Sequence, residues 1–286
     1  MPHVALPSSD LSLAYEVSGD GAPVLFVQGA GVPGAGWGPQ VGPLSRRFRC
    51  VSFDNRGIGG SGPLTSSFRI EEMRGDALAV MDALGWQSAH IVGHSIGGLV
   101  AQALALEARD RVRSLTLMCS FLRGSEPSRL NPWIVWTGLR TYVGSRRMRR
   151  LAFLEILLSD AERRARGSQA ELDAFARELR PLFGRDLADP AAIAMKQLAA
   201  VKNFDAGSRL SELAPIPTLV LSATHDRLAL PDFGRALAGA IPGARYEERD
   251  AAHGLPITRA EEVNALLSEH FAKAETLLGG AQPQLG

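Results

Sequence analysis

The chain has 286 residues, 45% of them hydrophobic, and sets 31 Lys and Arg against 30 Asp and Glu for a formal net charge of +1. At about 150 residues per domain that is one large domain or two small ones, and a chain of this size buries roughly 75% of its unfolded surface. The near-neutral charge argues against nucleic acid or an acidic surface as main partner, two cysteines (Cys50 and Cys119) exclude a disulfide scaffold and read as buried thiols, and the lack of any run of about 18 apolar residues argues against a membrane span.

The first ten residues show neither the basic nor the apolar region of a signal peptide, so a cytoplasmic location is expected. Over residues 4–17 the alternation of Leu11, Leu13, Tyr15 and Val17 predicts an antiparallel edge pair. Short apolar runs follow at 24–27, 50–53, 90–92, 115–118, 218–221 and 246–248. Segments of helical period at 70–84, 99–108, 232–240 and 260–272 separate them, the pattern of a parallel α/β sheet. The rhythm breaks over 122–205, where no strand is predicted. There Trp133, Trp136, Leu139 and Tyr142, then Leu151, Leu154, Leu157 and Leu158, suggest apolar helical faces, with further helices at 169–179 and 191–201. We read 122–205 as a helical cap inserted between two strands of one sheet, with 1–121 and 206–278 forming the core. The Gly/Pro/Gln-rich end, 279–286, is expected to fray.

Two glycine motifs follow predicted strands. Gly29-Ala30-Gly31-Val32-Pro33-Gly34 imitates a dinucleotide fingerprint, with Asp54 ending the next strand 20 residues after Gly34. A pyrophosphate site needs a helix starting at the glycine turn, and three glycines and two prolines across 35–43 make a poor helix start. The segment therefore reads as a glycine loop that lets backbone approach a substrate. The second motif, Gly93-His94-Ser95-Ile96-Gly97, sits between the apolar strand at Ile91-Val92 and the apolar helix beginning at Leu99, the context of a nucleophile elbow. In so tight a turn the positions two before and two after Ser95 approach closely and leave no room for a Cβ.

A nucleophilic serine needs a base and an orienting acid. Among six histidines, His94 abuts the serine and reads as its packing or hydrogen-bonding neighbour. His253 lies in a loop of small residues after the last strand, where an α/β sheet presents functional groups. Asp226 stands just past the strand at 218–221 and precedes His253 by 27 residues. The arginine runs at 146–150 and 163–166 read as solvated helix faces, not a nucleic-acid site.

The order Ser95, Asp226, His253 resembles the α/β-hydrolase superfamily, in its branch with a helical cap. Four blocks carry the resemblance: Val27-Gln28-Gly29-Ala30-Gly31, Asp54 through Ser61, the elbow, and Pro217 through His253. It implies an α/β-hydrolase fold with a mostly parallel eight-stranded sheet flanked by helices. It also implies an oxyanion hole from the backbone N–H groups of Ala30 and Ile96. Asp54 and Arg56 are read as structural, their turn being explained by local hydrogen bonds. Three positions depart from the family pattern. Gln28 replaces the usual His, Ala252 replaces the usual Gly before the histidine, and Pro231 falls five residues after Asp226.

The activity implied is hydrolysis of a carboxylic ester or lactone through an acyl-enzyme, with no metal or other cofactor. C–C bond hydrolysis, cofactor-free perhydrolysis and a slow or non-catalytic ligand receptor are the alternatives. The expected partner is a small apolar substrate, with no nucleic acid and no membrane. Its pocket is expected to include Gln28, Gly29, Gly31, Trp37, Trp133, Trp136 and Tyr142, with Phe153, Phe175 and Phe183 as further candidates.

Overall fold

The computed structural model describes residues 1–6, 11–64, 66–129 and 131–280. Eight strands form one sheet: β1 (His3–Ala5), β2 (Ser12–Ser18), β3 (Ala22–Val27), β4 (Phe48–Phe53), β5 (Ala89–His94), β6 (Val112–Met118), β7 (Thr218–Ala223) and β8 (Arg245–Arg249). Their order is β1-β2-β4-β3-β5-β6-β7-β8. The pairs β1–β2 and β2–β4 are antiparallel, and every later pair is parallel. The central strands are buried on both faces, as Leu25, Phe26, Val51, Ile91, Leu117 and Leu219 show, which explains why they read as short continuous apolar runs. Cys50 and Cys119 are free and buried; Cys50 lies on β4 and Cys119 just past β6, strands separated by β3 and β5.

The helices in chain order are α1 (Gly38–Leu44), α2 (Ile70–Ala83), α3 (Ile96–Glu107), α4 (Pro132–Arg140), α5 (Arg146–Leu157), α6 (Asp160–Ala165), α7 (Gln169–Glu178), α8 (Arg180–Phe183), α9 (Ala192–Val201), α10 (Pro231–Ala240), α11 (Leu255–Thr258) and α12 (Ala260–Gly280). Two of them correct the reading of the sequence. A 3-10 turn (Gly34–Trp37) and α1 occupy the stretch judged a poor helix start. Packing overrides propensity there. A Cβ on Gly34 would come within 2.9 Å of the Phe53 backbone, so only glycine fits against β4. Helix α12 runs to Gly280, beyond the expected end at 272; the remainder of the expected tail, 281–286, lies outside the described residues.

Helices α4 to α9 fall between β6 and β7. Ser145, Ser159 and Ser168 cap α5, α6 and α7, each accepting from the backbone N–H three residues on. Leu154, Leu157, Leu158, Ala176, Leu179, Phe183 and Leu187 form a small apolar core of their own. Some of the arginines of this region are answered from within it. Arg146 and Arg150 pair with Asp186, and Arg150 also with Asp173, while Arg140 pairs with Glu155. Helix α9 differs from its neighbours, because Ala200 and Val201 at its end belong to the main core under the sheet.

Candidate active site

The carboxyl ends of β3, β5, β6 and β7 meet at one cavity, where a parallel sheet presents its loops. Ser95 joins β5 to α3 with φ 55° and ψ −126°, a strained conformation for a residue with a side chain. The surroundings hold it there. A Cβ on Gly93 would collide with the Gly97 carbonyl oxygen, and one on Gly97 with the Val27 carbonyl oxygen. The Ser95 N–H donates to Met118 O at 2.9 Å, and the Ser120 hydroxyl donates to Ser95 O at 2.9 Å.

His253 lies in the loop between β8 and α11, and its Nδ1 lies 2.7 Å from Asp226 Oδ2. A carboxylate only accepts, so Nδ1 donates, and in the neutral ring this leaves the lone pair on Nε2. The other carboxylate oxygen of Asp226 accepts from the Leu228 and Ala229 N–H groups at 2.8 and 2.9 Å. These bonds close a turn after β7, and α10 begins only at Pro231, so Asp226 does not cap that helix. The acid and histidine loops are joined where the His225 N–H donates to Ala251 O at 2.9 Å. The inserted helices hold the histidine loop too: the Gly254 N–H donates to Leu157 O, at the end of α5, at 3.0 Å.

His94 is a neighbour of this pair, its ring centroid 4.9 Å from that of His253. Its Nε2 lies 3.2 Å from His253 O and its Nδ1 3.3 Å from Gln28 Oε1. Burial, and then the adjacent His253, push its pKa down to about 3, so the ring is neutral at physiological pH. Cys119, with φ 45°, lies within reach of the Asp226 carboxylate's charge. Burial first, and then that negative charge, hold its thiol well above the ordinary range. Sequence reasoning missed this proximity, although Cys119 directly follows a strand beside the acid's own.

His94, Cys119 and His253 each bring a possible metal-ligand atom within 4.8 Å of the others. The donor set suits a soft cation. Its fit is poor, because the thiol resists ionisation and His253 Nδ1 is committed to Asp226.

The backbone N–H groups of Ala30 and Ile96 have no protein acceptor among the described residues, and both residues line the cavity with Ser95. Gln28, where the family usually has His, is buried. Its Oε1 accepts the Gly29 N–H at 2.8 Å, and its own carbonyl accepts from Asn55 Nδ2 at 3.1 Å. Asp54 braces the same region, accepting the Gly34 and Gly60 N–H groups at 2.7 and 2.8 Å, and Arg56 forms a two-pronged bond with buried Asp76 at 2.6 Å.

The cavity measures about 330 Å³. Gln28, Gly29, Ala30, His94, Ser95, Ile96 and His253 supply its polar end. Ile134, Phe153, Leu157, Phe183, Met195 and Leu198 wall the rest, and among the described residues no Asp, Glu, Lys or Arg lines it. Several residues expected at the pocket lie outside this lining. Trp37 is fully buried against Phe26, with ring centroids 5.1 Å apart. Trp133 lies under the Arg227 guanidinium at 5.0 Å, and Phe175 under that of Arg166 at 3.6 Å. Trp136 and Tyr142 are 61% and 55% exposed. Gly31 is covered by α9. The reason on α4 is angular: Ile134 and Gly138, four residues apart, share the face toward the cavity, and the tryptophans lie off that stripe.

Comparison with known proteins agrees with this architecture. Residues 22–260 match the family described as the alpha/beta hydrolase fold. The chain is 30% identical over 279 residues to a protein of Azorhizobium caulinodans provisionally named carbamate hydrolase RutD, covering 90% of this chain and 94% of that one. Among solved structures it is similar to the enol-lactonase from Burkholderia xenovorans LB400, at 29% identity and TM-score 0.75, covering 95% of this chain and all of that one. It is also similar to Est816, an N-acyl homoserine lactone degrading enzyme, at 27% identity and TM-score 0.71, covering 94% and 99%. The chain belongs to the α/β-hydrolase superfamily and is an enzyme of that class.

Proposed function

We propose that this enzyme hydrolyses a neutral carboxylic ester or lactone with an apolar acyl group, through an acyl-enzyme on Ser95. The observation that carries the reading is the 2.7 Å His253–Asp226 bond beside a serine held at φ 55° in the same cavity. Ser95 attacks the substrate carbonyl while His253 Nε2 takes its proton. Asp226 keeps the imidazole in the productive tautomer and stabilises the imidazolium. The tetrahedral oxygen lies against the Ala30 and Ile96 N–H groups, where the N-terminus of α3 adds its partial positive charge. The imidazolium protonates the leaving alkoxide, and water, activated by the same histidine, then releases the acid.

The apolar walls and the absence of ionised lining residues support a neutral substrate, since an unpaired carboxylate there would lose its hydration without compensation. Turnover of nitrophenyl esters of rising acyl length, run beside N-acyl and alkyl lactones, tests the reading. Turnover is expected to favour neutral substrates of medium chain length and to vanish in Ser95→Ala. A preference for carboxylate-bearing substrates, or unchanged turnover in Ser95→Ala, overturns it.

A further inference from the structure

Helix α9 touches the oxyanion loop through one buried hydrogen bond. Gln197 is fully buried, and its Oε1 accepts the Gly31 N–H at 2.8 Å across 166 residues of chain. The packing around this bond is close. Gly31 has φ +69°, and a Cβ on it would come within 2.6 Å of Ala191 Cβ and 3.2 Å of Ala194 Cβ. The Gly31 N–H also fixes the sense of the amide, because only the oxygen of Gln197 can face a donor. Gln197 Nε2 has no partner among the described residues. Mere space-filling would be served better by Met, which buries no unpaired amide. What Gln contributes beyond volume is the bond to Gly31.

That bond has a counterpart on the other side of Ala30. Gln28 Oε1 accepts the Gly29 N–H at 2.8 Å, so the amides flanking Ala30 are each held by a buried glutamine oxygen. The Ala30 N–H between them has no acceptor among the described residues. The same helix carries Ala194, Met195 and Leu198 in the cavity wall, while Ala200 and Val201 anchor its end in the main core.

We propose that Gln197 is a positioning residue. It holds the oxyanion loop so that the Ala30 N–H faces the developing oxyanion, and it joins that loop to the helix against which the acyl chain packs. This role rests on the acyl-transfer reading above. Its prediction is a selective loss: the transition state, which places charge at the oxyanion position, suffers more than the bound substrate.

The test compares Gln197→Met, Gln197→Ala and Gln197→Glu with wild type on one neutral ester. Met and Ala remove the acceptor without adding bulk, whereas Glu keeps an acceptor oxygen. Both acceptor-free variants are expected to lose about 10- to 100-fold in kcat with KM changed less than about 3-fold, the range in which misplaced groups act. Their affinity for an alkyl trifluoromethyl ketone, which forms a tetrahedral oxyanion on the serine, should fall in step with kcat/KM. Binding of the matching non-reactive alcohol should stay constant, and Gln197→Glu should recover part of the loss. Wild-type kcat and ketone affinity in whichever of the Met and Ala variants folds overturns the role, as does a uniform weakening of both ligands. An inactive wild-type enzyme overturns the acyl-transfer reading and this role together, whereas an active wild type with indifferent variants overturns this role alone.

Discussion

Ser95, His253 and Asp226 come from three loops, and the proposed acyl transfer depends on one tautomer. With Nδ1 donating to Asp226, Nε2 can accept the serine proton. Asp226→Asn offers this nitrogen a second donor and favours the wrong tautomer, so kcat is expected to fall by about 10⁴ with little change in folding. Steady-state ester kinetics beside circular dichroism check this, and a loss below tenfold would count against Asp226 as the orienting acid. At this scale the site was partly legible in the sequence. The serine stood out because two glycines must flank it, and the acid and histidine because each follows a predicted strand. Gln197 was not legible. In 191–201 it reads as one polar residue on an apolar helix, and only the fold brings it to Gly31. The tryptophans misdirected the reading of the pocket because aromatic size says nothing about the face a helix turns inward.

The elbow is a matter of element packing. Gly97 sits where α3 begins against β3, and a Cβ there meets the Val27 carbonyl. Gly97→Ala is expected to cost about 1–3 kcal/mol in urea unfolding, the usual range for overpacking, and to abolish turnover by shifting Ser95. Unchanged stability and activity would mean that the turn is looser than described. On the side of the inserted helices, Phe153 and Phe183 stack edge to face with centroids 5.5 Å apart, and both line the cavity. Phe153→Ala enlarges the acyl end and is expected to raise the preference for long over short acyl esters by about tenfold, comparable to one methylene's worth of discrimination. The ester panel reads this directly, and an unmoved optimum would place the acyl chain elsewhere. The main elements were legible because strands buried on both faces leave short apolar runs and their crossover helices keep a 3.6 period. The segment around α1 was not, because its glycines serve contacts with Phe53 and Gln28 that local propensity does not encode.

Across the whole molecule, the buried His90 and His270 and the half-buried His94 make the fold sensitive to acid. Burial is the main cause in each case, with nearby cations next for His90 and His253 next for His94. The pKa is pushed down from 6.5 to about 3 for His90 and His94 and to about 4 for His270. The unfolded chain protonates these rings below 6.5, and the folded chain does so only near 4 or 3. The unfolded state therefore binds more protons in that window, and stability falls as the pH drops through it, by up to about 1.4 kcal/mol per pH unit for each ring. His90, which stacks on Phe271 with centroids 4.5 Å apart, is remote from the cavity. His90→Phe should flatten the dependence of unfolding free energy on pH between 6.5 and 4 by close to one proton, as read from urea midpoints. An unchanged slope would assign the sensitivity to other groups. The near-neutral total charge also takes on a local meaning at this scale. Residues 122–205 carry 15 Lys and Arg against 10 Asp and Glu, so the pairs of Arg146 and Arg150 with Asp186 and Asp173 leave this region net positive, and the rest of the chain supplies the balancing acids.

The central claim is that Ser95 is an activated nucleophile. Incubation with an alkyl fluorophosphonate, followed by intact-mass and peptide mass spectrometry, addresses it without knowledge of the substrate. One phosphonyl adduct per chain is expected, located on the peptide containing Ser95, slowed sharply in His253→Ala and absent in folded Ser95→Ala. Folded wild-type protein that stays unmodified, or an adduct on another residue, would contradict the claim.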